Sequence, residues 1–160
     1  NLREEAMKKE WAGYAPVVLR VMLAIGFLYH GLPKFGGAGH QQFQGNLQAM
    51  GFPAPALLSW VGAVVEVGGA LALLAGAFTT IASLLLLLEM LVAIIKVHGP
   101  NGFSFMHITG MTPQGPQFGM PGYEVNLLYM AMLLALALGG AGKWSVDERR
   151  AARSSFPSVA

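Results

Sequence analysis

Four apolar runs of membrane-crossing length fill most of this chain, and they constrain its fold more than any other feature. They extend from about Ala15 to Leu32, Pro55 to Phe78, Thr79 to Val97 and Gly122 to Ala141. A helix needs about 20 mostly apolar residues to cross the hydrocarbon core of a bilayer. The chain has 160 residues, of which 54% are hydrophobic and 11% charged, with a mean hydropathy of +0.53. Soluble domains carry roughly 25% charged residues. Too little polar sequence remains to enclose four such runs in water. The expectation is an all-α membrane protein, with four transmembrane helices in an antiparallel bundle over residues 15–142. Residues 1–14 read as a cytoplasmic lead-in and residues 143–160 as a cytoplasmic tail.

The connections add topology. Gly76 to Thr80 must reverse the chain between the second and third runs, which forces an antiparallel pair. Phe35 to Ala54 and Gly99 to Pro121 are long, with many Gly residues. Arg3, Lys8 and Lys9 precede the first helix, and Lys143, Arg149, Arg150 and Arg153 follow the fourth. The Lys/Arg bias therefore predicts both termini in the cytoplasm and both long loops outside, across a bacterial inner membrane. Trp11, Tyr14, Trp60 and Trp144 fall near the expected interfaces. The mixed-charge start, NLREEAMKKEW, does not read as a cleavable signal. The net charge of +2, with basic residues near the ends, suits anionic headgroups better than nucleic acid. The chain has no cysteine, which excludes disulfides, thiolate metal sites and thiol nucleophiles of its own. His30-Gly31 and His98-Gly99 close the first and third helices alike, an echo expected of two repeated hairpins.

Ionisable residues within apolar helices need partners or a polar cavity. Two groupings follow from their heights along the helices. An inner one pairs Arg20 with Glu66 or Glu89 as a structural ion pair, since a guanidinium meets a carboxylate through two parallel hydrogen bonds. An outer one gathers His30, Lys34, Lys96, His98 and Glu124, with His107 from the loop, around a polar pocket. The plain alternatives are a static helix lock for the first, and snorkelling or loop anchoring for the second. Gly62, Gly69 and Ala70 permit close helix packing on the second helix, and Glu66 shares their stripe. Met106, Met111 and Met120 are spaced too irregularly with His98 and His107 for a copper site, and no metal is expected.

Several segments together resemble the DoxX/DoxD-like family of four-helix bacterial membrane proteins. They are Arg20 with Gly26-Phe27-Leu28-Tyr29-His30-Gly31-Leu32-Pro33-Lys34-Phe35, Gly51-Phe52-Pro53, Glu66-Val67-Gly68-Gly69-Ala70, His98-Gly99-Pro100-Asn101-Gly102-Phe103, Gly122-Tyr123-Glu124 and Gly140 to Asp147. The resemblance implies a four-helix bundle with a role near electron transfer. Relatives include subunits of a thiosulfate:quinone oxidoreductase. Three functions are then open. The first is a membrane subunit of a redox assembly with a quinone pocket, for which Glu89, Lys96, His98 and Glu124 are candidates, with His30 and Lys34 beside them. A chain with no evident redox centre of its own would take electrons through partner subunits. The second is a purely structural or assembly subunit, associated with itself or with others. The third is a small anion transporter, with Lys34, Lys96 and Arg20 marking the path.

Overall fold

The computed structural model describes residues 1–154, without the side chains of Leu2 and Ala6. The last part of the expected tail, 155–160, lies outside the described residues. Seven α-helices and one β-hairpin follow each other: α1 (Leu2–Ala12), α2 (Ala15–Gly31), α3 (Gly37–Ala49), α4 (Pro55–Ala75), α5 (Thr79–Ala93), β1 (Ile108–Thr112), β2 (Gly115–Phe118), α6 (Glu124–Gly139) and α7 (Val146–Ser154). A 3-10 turn, Leu32–Phe35, extends α2, and a π-helical turn, Ile94–His98, extends α5. Three helical segments are long and apolar enough to cross a bilayer: Arg3–Phe35, Pro55–Ala75 and Thr79–Asn101.

The fourth expected span, Gly122 to Ala141, is shorter in the structure. It forms α6, with 16 residues, below the length that crosses unaided. Gly140, at φ 79°, stops the helix. At its other end Gly122 and Tyr123 pair with the preceding loop instead of joining the helix. The second difference is the hairpin, which an all-α expectation does not contain. Its residues read as a Gly- and Pro-rich loop because the segment is short and its strands pair only with each other.

Helices α2, α4, α5 and α6 share one core. Leu23 and Phe27 meet Ala70 and Leu73, Ala82 and Leu86, and Leu133 and Leu136. α2 packs chiefly on α4, and α5 on α6, so two antiparallel hairpins are joined by the short α4–α5 turn. α1 and α7 lie at one end of this bundle. α3 and the β-hairpin lie at the other, the loop end. Lipid is as apolar as leucine, so close packing and polar anchors must hold such helices together.

The terminal end has such an anchor. Arg20 is buried, and its guanidinium makes five hydrogen bonds to backbone carbonyls. Nε donates to Leu73 O at 2.9 Å, Nη1 to Ala141 O at 2.6 Å and Lys143 O at 3.2 Å, and Nη2 to Leu74 O at 3.3 Å and Trp144 O at 3.2 Å. These carbonyls belong to the end of α4, where Leu73 O also accepts the Gly76 N–H, and to the segment after α6. The expected pairing of Arg20 with Glu66 or Glu89 is not made. α4 runs antiparallel to α2, which sets Leu73 beside Arg20 and Glu66 beside Gly31. Arg20 and Gly31 are eleven positions apart, roughly 16 Å along a helix axis.

Asp147 completes the anchor. Its carboxylate accepts the amide N–H groups of Phe78 and Thr79, both at 2.9 Å, and so caps α5 from far along the sequence. Its own N–H donates to Gly76 O at 2.9 Å. Burial pushes the Asp147 carboxyl up, but the donors at Thr79 and Phe78 and the charge of Arg150 outweigh it and hold the carboxyl below its usual range. Gly76 makes the corner possible. It adopts φ 63°, and a Cβ there would stand 2.4 Å from Ser145 Cβ and 2.9 Å from Arg20 Cζ.

Candidate functional site

At the loop end, three ionisable side chains from three elements converge. Lys34 sits in the 3-10 turn after α2, which Pro33 begins to tighten, and it faces the middle of α4. Its ammonium forms a salt bridge with Glu66 Oε2 on α4 and lies 3.9 Å from Glu89 Oε1 on α5. Glu66 is 3% exposed. The side chains of Lys34 and Glu89 are each 21% exposed, so the edge of the cluster is open. The second oxygen of Glu89, Oε2, is buried and has no hydrogen-bond partner. One cation thus faces two acids, and one acceptor is unused.

The surroundings hold Lys34 in place. The Phe43 ring of α3 lies 4.4 Å from its ammonium, within cation–π range. Gly31 lets α2 approach Glu66: a Cβ there would come within 2.8 Å of Val67 Cγ2 and 3.1 Å of Glu66 Cγ. Just past Glu89 the helix widens into the π turn Ile94–His98, a distortion often found at functional sites.

Reasoning from sequence missed His40 and Phe43. His40 Nδ1–H donates to Lys34 O at 2.9 Å, and Nε2 lies 3.3 Å from Ser59 Oγ. The imidazole stacks on Trp60 at 4.0 Å. Together these contacts pin α3 over Lys34 and α4. Their only trace in sequence is the spacing His40, Phe43, Leu47, which places all three on one helical face. That signal is too common to identify a site.

The expected outer grouping does not assemble. Lys34 alone of its six members joins the cluster, where it meets Glu66 and Glu89 of the expected inner grouping. His30 is exposed, with its ring against Tyr29. Lys96 reaches over Phe52, 5.4 Å from the ring centre. His98 Nδ1–H donates to Pro121 O at 2.9 Å. Glu124 accepts the Phe105 N–H at 2.9 Å, and His107 Nδ1–H donates to Met120 O at 2.9 Å. These last three brace the loop before α6. They are held apart from Lys34 because that loop folds back on itself.

A cleft of about 480 Å³ opens at the terminal end between Glu10, Trp11, Tyr14 and Trp144. Lys143 already fills the cationic place beside it, 3.6 Å from Glu10 Oε1 and 4.7 Å from the Tyr14 ring centre. Its aromatic side chains are of the kind enriched at membrane interfaces.

Comparison with known proteins identifies a family. The DoxX family profile matches residues 15–99, from the start of α2 past the π turn, and so includes Lys34, Glu66 and Glu89. An uncharacterized membrane protein of Mycobacterium tuberculosis is 27% identical over 142 residues, covering 87% of this chain and 83% of the relative. An uncharacterized protein of Haemophilus influenzae is 30% identical over 144 residues, covering 88% of this chain and 94% of the relative. No solved structure matches significantly. With apolar helices of spanning length and the profile over more than half its residues, the chain belongs to the DoxX family of membrane proteins.

Proposed function

We propose that this protein is an integral membrane subunit of a redox assembly in the bacterial inner membrane, and that Lys34, Glu66 and Glu89 receive the headgroup of a quinone or quinol. The observation that carries the reading is the composition of the cluster. Lys34 offers a cationic donor to a quinone carbonyl, and the unpaired Oε2 of Glu89 offers an acceptor to a quinol hydroxyl. With both acids ionised the cluster carries one negative charge in excess, which apolar surroundings penalise. A donor from a ligand, or a proton, relieves that excess. The open edge at Lys34 and Glu89 lets a lipid-dissolved headgroup enter from the bilayer.

When bound, the quinol supplies two electrons and two protons as it is oxidised. Lys34 would orient the ring and Glu89 Oε2 would accept a proton from its hydroxyl, while the second proton and both electrons would pass to a redox cofactor of a partner subunit. The basic residues of the terminal end support a cytoplasmic placement of both termini, which puts the cluster on the periplasmic side.

A binding measurement tests the reading. Purified protein in nanodiscs is titrated with a short-chain ubiquinone while tryptophan emission is followed, because Trp60 touches His40 beside the cluster. Saturable quenching is expected, weakened at least tenfold in Glu89→Gln and unchanged in Lys96→Ala. No saturable binding to the wild-type protein, or equal binding to Glu89→Gln, overturns the quinone site. The cluster would then act as a helix lock in a structural subunit, a role that the Lys34–Glu66 contact between the α2 end and α4 already supports.

A further inference from the structure

The β-hairpin carries an apolar face that no described residue covers. Ile108 pairs with Phe118, Gly110 with Gln117, Met111 with Pro116 and Thr112 with Gly115, and a bulge between Ile108 and Gly110 absorbs one residue. Paired residues in antiparallel strands point to the same side, and successive residues alternate. Ile108, Met111, Pro116 and Phe118 therefore share one face, while Gly110, Thr112, Gly115 and Gln117 share the other. Without the bulge Ile108 would stand with Gly110 on the polar face, so the irregularity collects the large apolar side chains together. Ile108, Met111 and Phe118 are 51%, 76% and 58% exposed.

The flanking chain has the same character. No Asp, Glu, Lys or Arg occurs between Gly99 and Tyr123, and Phe103, Phe105, Met106 and Met120 are all exposed. An extramembrane loop in water rarely shows so large an apolar surface.

The length of α6 points to what covers it. Its 16 residues rise roughly 24 Å, about 6 Å short of the hydrocarbon thickness. Unlike α2 and α5 it has no helical extension, so chain at its ends must lie within the leaflet. The segment just before α6 suits that depth, because its amides are satisfied internally. Gly122 N–H donates to Ser104 O at 3.0 Å, Tyr123 N–H to Gly102 O at 3.1 Å and Glu124 N–H to Phe103 O at 2.9 Å. The hairpin is tied to this segment through the Gly119 N–H bond to His107 O at 2.8 Å and the His107 bond to Met120 O.

We propose that the hairpin lies flat in the membrane interface at the loop end, with Ile108, Met111, Pro116 and Phe118 against lipid acyl chains. Its occupant is the bilayer that the helices already span, and its apolar face continues their lipid-facing surface. A two-stranded ribbon has two unpaired edges, which hydrocarbon would penalise. Water and headgroups satisfy those edges at the interface, with Thr112 and Gln117 turned outward.

The absence of native cysteine makes the test direct. Single variants M111C, F118C and Q117C of the full chain carry a nitroxide in phosphatidylethanolamine/phosphatidylglycerol liposomes. Collision rates with oxygen and with a water-soluble nickel chelate are compared with L138C, an exposed site on α6, and E5C, an exposed site on α1. Met111 and Phe118 are expected to favour oxygen, as at Leu138, with nickel collisions at least threefold below those at Gln117. Nickel access at Met111 and Phe118 equal to that at Glu5 puts the face in water and overturns the proposal. Shielding of both sites from both reagents means a protein covers the face, and overturns it equally. The same oxygen preference at Gln117 as at Met111 removes the assignment of faces and with it the proposal.

Discussion

Replacing Arg20 with lysine separates the carbonyl clamp from an intramembrane ion pair. Arg20 uses all five of its donors, one carbonyl for each. An ammonium has three donors, so Arg20→Lys keeps the charge and loses at least two of the five bonds. Each unsatisfied buried acceptor costs about 1–3 kcal/mol. Three of the five bonds are only partly buried, which favours the lower half of that range. The expected loss is about 2–4 kcal/mol, or roughly 5–15 °C in melting temperature for a chain of this size. Thermal unfolding in mild detergent, followed by circular dichroism, measures it. A double-mutant cycle with Glu66→Gln then locates the partner. The clamp predicts additivity within about 0.5 kcal/mol, as for distant sites, because Glu66 sits at the other end of α2. Coupling above about 1 kcal/mol, or a loss below about 0.5 kcal/mol for Arg20→Lys alone, would refute the clamp and restore the ion pair.

Three further outcomes follow from the geometry. Asp147→Asn should cost about 1 kcal/mol by weakening the cap on α5. Because the folded carboxyl is held low, the wild-type advantage should be constant above about pH 5, where the unfolded acid is also ionised. It should shrink as pH falls further toward the lowered folded value, and a gap at pH 3 undiminished from its size at pH 7 in melting curves contradicts the cap. Gly31→Ala should lose about 1–3 kcal/mol by overpacking, since the new methyl meets Val67 and Glu66; an unchanged melting temperature would show that α2 does not approach α4 there. Lys34→Met leaves Glu66 buried without its cation and should cost about 3–5 kcal/mol. Lys34→Met/Glu66→Gln should recover most of that loss, and no recovery would mean that Lys34 stabilises through Phe43 or Glu89 instead.

The sequence by itself determined the solvent of this protein and the identity of its polar problems. Apolar runs of spanning length demand lipid, the Gly76 region demands a sharp reversal, and Arg20, Glu66 and Glu89 inside helices each demand a partner. These conclusions follow from local composition, because the cost of a charge in an apolar helix does not depend on the fold. Which partner answers which demand was decided by tertiary structure. The antiparallel offset of α2 and α4 carried Glu66 away from Arg20 and delivered it to Lys34. Arg20 then found carbonyls, which every residue carries and no sequence pattern marks. Asp147 caps α5 across a separation of 68 positions, and His40 and Phe43 reach Lys34 only once α3 folds back over α4. The apolar face of the hairpin depends on one bulged residue, a shift of register that alternation along the chain does not show. In each case the deciding quantity is a relative height or a register between segments, which exists only after the segments have packed.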